Sequence, residues 1–294
     1  MTVKDPLVSV IMNCYNGERF LKDAIYSVYV QTFPDWEIIF WDNASTDSSG
    51  EIAQSYDERV KYFIAPSTTP LGEARNLALM KATGKYIAFL DCDDSWLPEK
   101  LEKQIFKIQQ NDLDVVYGPV NIIDANTQVV GKTTVQKKPS FVTLLTNYDI
   151  NMQSALIRRD ACSSGLNKNL SYCPDYELFL RIASEGKRFG TIENRYVNYR
   201  VHDSSLSNKL VALQLPEALS VIDSIECMSE RGEAVMFSEA RRYLKLTLGA
   251  RERISKRKYM NASCYLFLAG KYKKSNYLKS LLLLFPYLRD KVIN

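Results

Sequence analysis

The chain holds a single histidine, His202, in 294 residues, and its six cysteines are scattered at positions 14, 92, 162, 173, 227 and 264. No two cysteines form a Cys-x-x-Cys pair and none lies near His202, which argues against a structural zinc site. Apolar runs are short. The longest, Leu281 to Pro286, falls far below the roughly 20 residues a membrane-spanning helix needs. The opening, Met1 to Pro6, is polar and has no basic stretch followed by an apolar one, so no secretory leader is expected. The thiols are then expected to be free, in a reducing cytoplasmic compartment. Charge of one sign is also lacking: 38 Lys and Arg against 34 Asp and Glu leave +4. Without a dense basic stripe, nucleic acid is not an expected partner. There is no internal repeat or low-complexity tract. The 46% hydrophobic and 24% charged residues are ordinary globular values and exclude a disordered or fibrous class.

What is present alternates. Leu7 to Met12 has the length and β-branching of a buried strand, and a turn follows from Asn13 to Gly17. Phe20, Leu21, Ala24, Ile25 and Val28 then recur at helical spacing. Trp36 to Trp41 reads as a strand, a helix begins near Ser48, and Val60 to Ile64 reads as a third strand. A helix over Glu73 to Ala82 ends at Gly84. Tyr86 to Leu90 is a nearly continuous apolar strand, Pro98 opens another helix, and Val115 to Tyr117 is a strand again. This order predicts an α/β fold with a mostly parallel central sheet flanked by helices. A hairpin near Asp124 to Asn126, a helix over Phe141 to Tyr148, a strand over Met152 to Arg158, a helix from Pro174 and a strand over Tyr196 to Val201 follow. Beyond Ser207 only helical patterns recur, in 210–228, 233–248 and 255–268. The expected domains are therefore residues 1–208, with a nucleotide-binding half to about 117 and an acceptor-side half from 118, and a helical region over 209–294.

Ligands of open parallel sheets gather at the carboxyl ends of the strands. Three polar clusters sit there: Asn13 to Asn16, Asp42 to Asp47, and Asp91 to Asp94. Asp91 and Asp93, one residue apart after a buried strand, can both approach a hard divalent cation such as Mg²⁺ or Mn²⁺. One of them can instead hold a ribose hydroxyl, and a solvated acidic turn before a helix is the blander alternative. Asp42 can accept hydrogen bonds from a base or ribose, while Ser45 to Ser48 suits a turn and helix cap. Arg75 sits early in a helix, where a cation is electrostatically unfavourable unless an anion such as a phosphate lies nearby. Asp175, next to Pro174 at a helix start, is the best general-base candidate, with Glu177 second. The helix dipole is expected to keep it ionised. His202 can be a metal ligand, a phosphate contact or a surface residue, and Arg200 beside it can bind a diphosphate.

Taken in order, these segments resemble the family 2 glycosyltransferases, inverting nucleotide-sugar enzymes of the GT-A fold. The resemblance covers roughly residues 7–208. It rests on Val8-Ser9-Val10-Ile11-Met12-Asn13-Cys14-Tyr15-Asn16, Ser27-Val28-Tyr29-Val30-Gln31-Thr32, Asp42-Asn43-Ala44-Ser45-Thr46-Asp47, Gly72-Glu73-Ala74-Arg75-Asn76, Asp91-Cys92-Asp93-Asp94, Pro174-Asp175-Tyr176-Glu177 and Tyr199-Arg200-Val201-His202. Two positions depart from the family pattern. Asn43 stands for the second aspartate of a pair, a change expected to cost little. Pro174 stands for the acidic neighbour of the base.

The resemblance implies transfer of a hexosyl or N-acetylhexosaminyl group from a nucleotide-sugar, UDP-linked by default, with inversion. Asp175 would be the base. Asp93, with Asp91 and His202, would hold Mn²⁺ or Mg²⁺. Asn13, Tyr15, Asn16, Asp42, Arg75, Asp91 and Arg200 would contact the donor. The implied acceptor is a glycan or lipid-linked glycan of bacterial cell-surface polysaccharide. An inactive nucleotide-sugar-binding protein of the same fold and a transferase acting on a protein glycan are the alternatives. A nucleotidyltransferase and a dinucleotide oxidoreductase are disfavoured, because Asn13 to Gly17 lacks both a basic phosphate loop and Gly-x-Gly-x-x-Gly.

The tail is basic over Arg251 to Lys258. Lys271, Lys273, Lys274 and Lys279 then interleave with Tyr272, Tyr277 and Leu278 ahead of Leu281 to Leu288. That composition suits a membrane surface at the inner face of the cytoplasmic membrane. It suits equally a small helical subdomain with a solvated charged face.

Overall fold

A computed structural model describes residues 5–202, 211–228, 234–255 and 266. Its first compact unit comprises residues 1–139, 149–178 and 185–201. The elements begin with β1 (Val8–Cys14), α1 (Glu18–Tyr29), β2 (Trp36–Asp42), α2 (Ser49–Gln54), β3 (Val60–Ile64), α3 (Leu71–Leu79) and β4 (Tyr86–Phe89). They continue with β5 (Ser95–Trp96), α4 (Lys100–Gln110), β6 (Val115–Tyr117), β7 (Asn121–Ile123) and β8 (Val129–Lys132). After a short helix α5 (Phe141–Thr146) come β9 (Leu156–Arg158), α6 (Pro174–Ser184), β10 (Phe189–Thr191) and β11 (Val197–Arg200).

The main sheet has the order β10-β6-β9-β4-β1-β2-β3, and only β9 runs against the others. β1 and β2 lie inside it, paired in parallel from Val8–Trp36 to Cys14–Asp42. Strands covered on both faces must be apolar nearly throughout. Every residue of β2 is buried, and β1 is buried except at Asn13. α1 buries Leu21, Ala24, Ile25 and Val28 along one stripe, and α4 buries Leu101, Ile105 and Ile108 along another. These side chains join Val8, Val10, Met12, Ile38 and Phe40 in one core cluster. Each fully buried aliphatic side chain there contributes on the order of 1.5–3 kcal/mol.

A second sheet, β5-β11-β7-β8, uses two strands that periodicity did not resolve or only outlined. β5 has two residues, and β8 is an exposed edge whose Val129 and Val130 face solvent. The expected strand over 152–158 is split. Met152–Ser154 form one turn of 3₁₀ helix and only Leu156–Arg158 pair. The turn occurs because the Asn151 side chain accepts the Gln153 N–H, a local cap that competes with extended pairing.

The second unit comprises residues 140–148, 179–184 and 202–294, so the division falls inside α6. Here α7 (Val211–Met228) and α8 (Ala234–Ser255) pack together and α8 also packs on α5. Phe141 meets Phe237 edge-on at 6.2 Å, and Arg241 pairs with Asp223 at 2.7 Å and with Glu226. None of the described helices is long and apolar enough to cross a membrane. The expected boundary at 208 lies outside the described residues, as do the third helical pattern beyond Ser255, apart from residue 266, and the tail beyond Ser255; Arg251 to Ser255 close α8. Of the described cysteines, Cys14, Cys92, Cys162 and Cys173 are buried and Cys227 is exposed.

Candidate active site

β1, β2 and β4 are neighbouring parallel strands, so their carboxyl ends open on one edge of the sheet. Asn13 to Asn16, Asp42 to Asp47 and Asp91 to Asp94 follow these ends, as the sequence predicts. The loops after β1 and β2 are stapled together. Asn16, in the left-handed region at φ 54°, accepts the Thr46 N–H at 2.8 Å and donates its own N–H to Ser45 Oγ at 3.1 Å. Asp47 accepts the Glu18 N–H at 3.0 Å, and Glu18 accepts the Ser48 N–H at 3.0 Å. Each acidic residue thus caps the other's helix start, where backbone N–H groups lack partners. Gly17 closes this turn over two thiols. A Cβ there would lie 2.8 Å from Cys14 Sγ and 3.1 Å from Cys92 Cβ.

Asp42 is 2% exposed. One carboxylate oxygen accepts the Ser45 N–H at 2.7 Å and the other accepts the Tyr62 hydroxyl at 2.8 Å. The Tyr62 hydroxyl is pushed up to about 12 by desolvation and by Asp42. Asn43 is held by its own pairing. Its amide donates to Thr69 O at 2.8 Å and accepts the Thr69 N–H at 3.0 Å, a reciprocal pair that an aspartate cannot complete. Tyr15 is 56% exposed and is next in the chain to Cys14, the register partner of Asp42. The Asn13 side-chain amide is buried with neither polar atom hydrogen-bonded. The Cys92 thiol donates to the Asn13 carbonyl at 3.2 Å, which ties the acidic loop to the end of β1.

Arg75 is 5% exposed and donates to Asp91 Oδ1 at 2.8 Å. The anion required to offset a buried arginine on α3 is therefore this carboxylate. The other Asp91 oxygen accepts from the Gln153 amide. Asp94 is almost fully buried. Burial pushes its carboxyl well above the usual range, with Asp93 and Asp91 adding to the effect and Arg200 opposing it. Arg200, expected at a diphosphate, is 2% exposed and spent on the protein itself. Its backbone N–H donates to Asp94 Oδ1 at 2.7 Å and its Nε to the Asp93 carbonyl at 2.8 Å. Nη1 reaches Asp124 O at 3.2 Å and Thr127 Oγ1 at 3.1 Å, with the Phe20 ring 4.5 Å below the guanidinium. The geometry is that of a clamp between the acidic loop and the β7–β8 turn.

Asp175 stands at the start of α6, partly buried. Burial raises its carboxyl above the ordinary value, with Arg75 and backbone N–H groups lowering it and Asp91 adding to the rise. Desolvation therefore outweighs the helix-start stabilisation expected from sequence. Arg75 acts on both Asp91 and Asp175, which brings the second and third carboxylate motifs into one electrostatic neighbourhood. α3 also fixes the loop that leads into Asp175. The Asn76 amide donates to Leu166 O at 2.7 Å and accepts the Leu166 N–H at 2.7 Å. Gly165 turns there at φ 70°, and a Cβ would lie 2.5 Å from Asn76 Oδ1. His202 belongs to the second unit, so it is not among the residues that the first unit itself gathers. Nothing in the spacing of Gln153, Tyr62 and Thr69 marks them as site residues, whereas Asn76 closes the Gly72 to Asn76 segment of the family resemblance.

Among the described residues no three His, Cys, Asp or Glu side chains are clustered to hold a metal ion. The donor set at Asp91 and Asp93 is two carboxylates, which fits a hard cation whose remaining ligands come from a substrate diphosphate and water.

Acidic loops at the open end of a mostly parallel sheet mark the place where α/β proteins of this architecture bind their ligands. The Glycosyl transferase family 2 model matches residues 9–165, and the chain belongs to that family. It is 33% identical over 207 residues to the Escherichia coli UDP-Glc:alpha-D-GlcNAc-diphosphoundecaprenol beta-1,3-glucosyltransferase WfgD, covering 69% of this chain and 81% of that protein. A Haemophilus influenzae protein named as a glycosyltransferase is 36% identical over 186 residues, 62% of this chain and 74% of its own. In solved structures the fold is shared with S. aureus TarS in complex with UDP-GlcNAc, at a TM-score of 0.66 and 17% identity over 97% of this chain and 88% of that one. It is shared equally with the mannosyltransferase PcManGT of Pyrobaculum calidifontis in complex with GDP-Man and Mn²⁺, at a TM-score of 0.66 and 16% identity over 99% and 84%. The expected GT-A fold is the observed one.

Proposed function

We propose that this family 2 glycosyltransferase moves a sugar from a UDP-sugar to a hydroxyl of a glycan or lipid-linked glycan in cell-surface polysaccharide synthesis, with inversion at the anomeric carbon. The observation that carries the reading is Arg75, paired with Asp91 and acting on Asp175, with Asp42 at the carboxyl end of β2 in the same sheet as β4. The relative named for glucosyl transfer from UDP-Glc to a diphosphoundecaprenol-linked sugar supports the donor and the acceptor class. An acceptor of that kind would bring the protein to the inner face of the cytoplasmic membrane.

Asp42 reads the nucleoside, exchanging its internal Ser45 and Tyr62 partners for those of the base or ribose, while Asn13 and Tyr15 line the same entrance. Asp93, with Asp91, would hold Mn²⁺ or Mg²⁺. Bound there, the cation supplies charge neutralisation on the departing nucleoside diphosphate. Arg75 adds fixed positive charge beside the same group. Asp175 takes the proton from the acceptor hydroxyl as that oxygen attacks the anomeric carbon from the face opposite the leaving diphosphate. Its raised proton affinity makes it a stronger base than an exposed aspartate. Arg200 acts through the acidic loop, holding Asp93 and Asp94 in place.

The test is a donor panel. The protein with Mn²⁺ is incubated with UDP-, GDP- and dTDP-sugars, and nucleoside diphosphate release is followed with and without undecaprenyl-diphosphate-linked sugars. Release from a UDP-sugar that rises with the lipid-linked acceptor supports the reading. Release from GDP- or dTDP-sugars alone overturns the donor, and no metal-dependent nucleotide binding or turnover with any donor overturns the function.

A further inference from the structure

Gln153 lies 62 residues from Asp91 in sequence and belongs to none of the motifs that define the family resemblance. It is nevertheless 3% exposed, and its polar groups are committed on three sides. Its backbone N–H is capped by Asn151 Oδ1 at 3.1 Å. Its carbonyl accepts the Trp96 indole N–H at 3.1 Å. The next carbonyl, that of Ser154, accepts Gln104 Nε2 at 2.7 Å, and Gln104 is itself fully buried. The 3₁₀ turn that carries Gln153 is thereby held rigidly against β5 and α4. From that platform the side-chain amide donates to Asp91 Oδ2, while Arg75 occupies Oδ1.

A lone partner on one oxygen would leave the Asp91 carboxylate free to rotate about its Cβ–Cγ bond. Two donors from opposite sides fix the carboxylate plane. The remaining lone pairs then point in set directions. A neutral amide does this without a second cation, so the negative charge of Asp91 stays available to ligands. A leucine of similar size would remove the donor from this oxygen of the one-third-exposed Asp91 side chain and leave it to water, which does not fix its direction.

We propose that Gln153 is a positioning residue of the donor site: it orients Asp91 for the nucleotide-sugar and its cation without touching the reacting atoms. The proposal rests on the donor-site reading given above. Outer partners of this kind typically change ligand affinity by roughly 10–100-fold when removed.

The experiment is a double-mutant cycle on Gln153→Leu and Asp91→Asn. It is read by calorimetric binding of UDP in the presence and absence of Mn²⁺, with thermal melting of each variant. The expected result is about a tenfold loss of Mn²⁺–UDP affinity in Gln153→Leu, with a cooperative melt retained. In the Asp91→Asn background the same substitution should cost less than about twofold, because the charged carboxylate that Gln153 orients is gone. Gln153→His, which keeps a ring N–H donor, should recover part of the loss. Equal losses in both backgrounds, or unchanged binding in Gln153→Leu, would overturn the assignment and leave the donor site standing. Wild-type protein that binds no nucleoside diphosphate would overturn the donor site and this inference with it.

Discussion

At the residue scale the site turns on how one environment treats several carboxylates differently. Asp42 and Asp91 are each held by two donors, whereas Asp175 is desolvated and its proton affinity is raised. A base works in its ionised form, so turnover should fall as pH drops through the folded-state pKa of Asp175. That acid limb should lie above the ordinary aspartate range, near 4. Arg75 opposes the rise, so Arg75→Gln should move the limb to still higher pH; a pH profile of kcat reads both. Asp175→Asn should lower kcat by about 10²–10⁴ with nucleotide affinity little changed. The sign for stability is the reverse of a salt-bridged aspartate. With a folded pKa above the unfolded one, the ionised carboxyl costs stability at pH 7 and costs nothing below about pH 4. Asp175→Asn should therefore melt slightly higher than wild type at pH 7, with the difference vanishing in acid. A melting difference that persists at low pH would point to packing instead.

At the element scale, the parallel strands and amphipathic helices were legible because burial on both faces of β1 and β2, and on one stripe of α1 and α4, writes itself into apolar spacing. β3 and β6 were read to the residue. Two-residue β5 and the split of 152–158 were not legible, because they depend on partners distant in sequence and on the Asn151 cap. Polar groups inside elements were equally hidden. Lys100 on α4 is fully buried, donating to Gln104 at 2.8 Å with the Trp96 ring 3.8 Å away, and burial drives its pKa well below the usual lysine value. A depressed lysine pKa costs stability wherever the unfolded lysine is protonated. Lys100→Met should therefore raise the melting temperature at pH 7, with the gain shrinking as pH approaches 10. On α3, Asn76→Ala should cost about 2 kcal/mol by leaving the Leu166 N–H and C=O without partners, and should slow turnover by loosening the loop before Asp175. Chemical denaturation and kcat on the same preparation check the pair of effects.

At the scale of the whole molecule, the order of motifs along the chain indicated the family before any contact was known, since Asn13, Asp42, Asp91 and Asp175 come from separate segments that the fold gathers. What the order could not carry was the division of labour among the gathered groups. Arg200, a donor-contact candidate in sequence, lies buried with its Nε on the Asp93 carbonyl, and Asn43, a replacement expected to cost little, makes a two-way pair with Thr69. The central claim is that Asp93 serves the donor and Asp175 serves the acceptor. Calorimetric binding of UDP with Mn²⁺, measured beside turnover on wild type, Asp93→Ala and Asp175→Asn, tests it most directly. The account predicts that Asp93→Ala loses the metal-dependent part of nucleotide binding, while Asp175→Asn binds nucleotide as wild type does and fails to turn over. Loss of nucleotide binding in Asp175→Asn, or metal-dependent binding intact in Asp93→Ala, would contradict it.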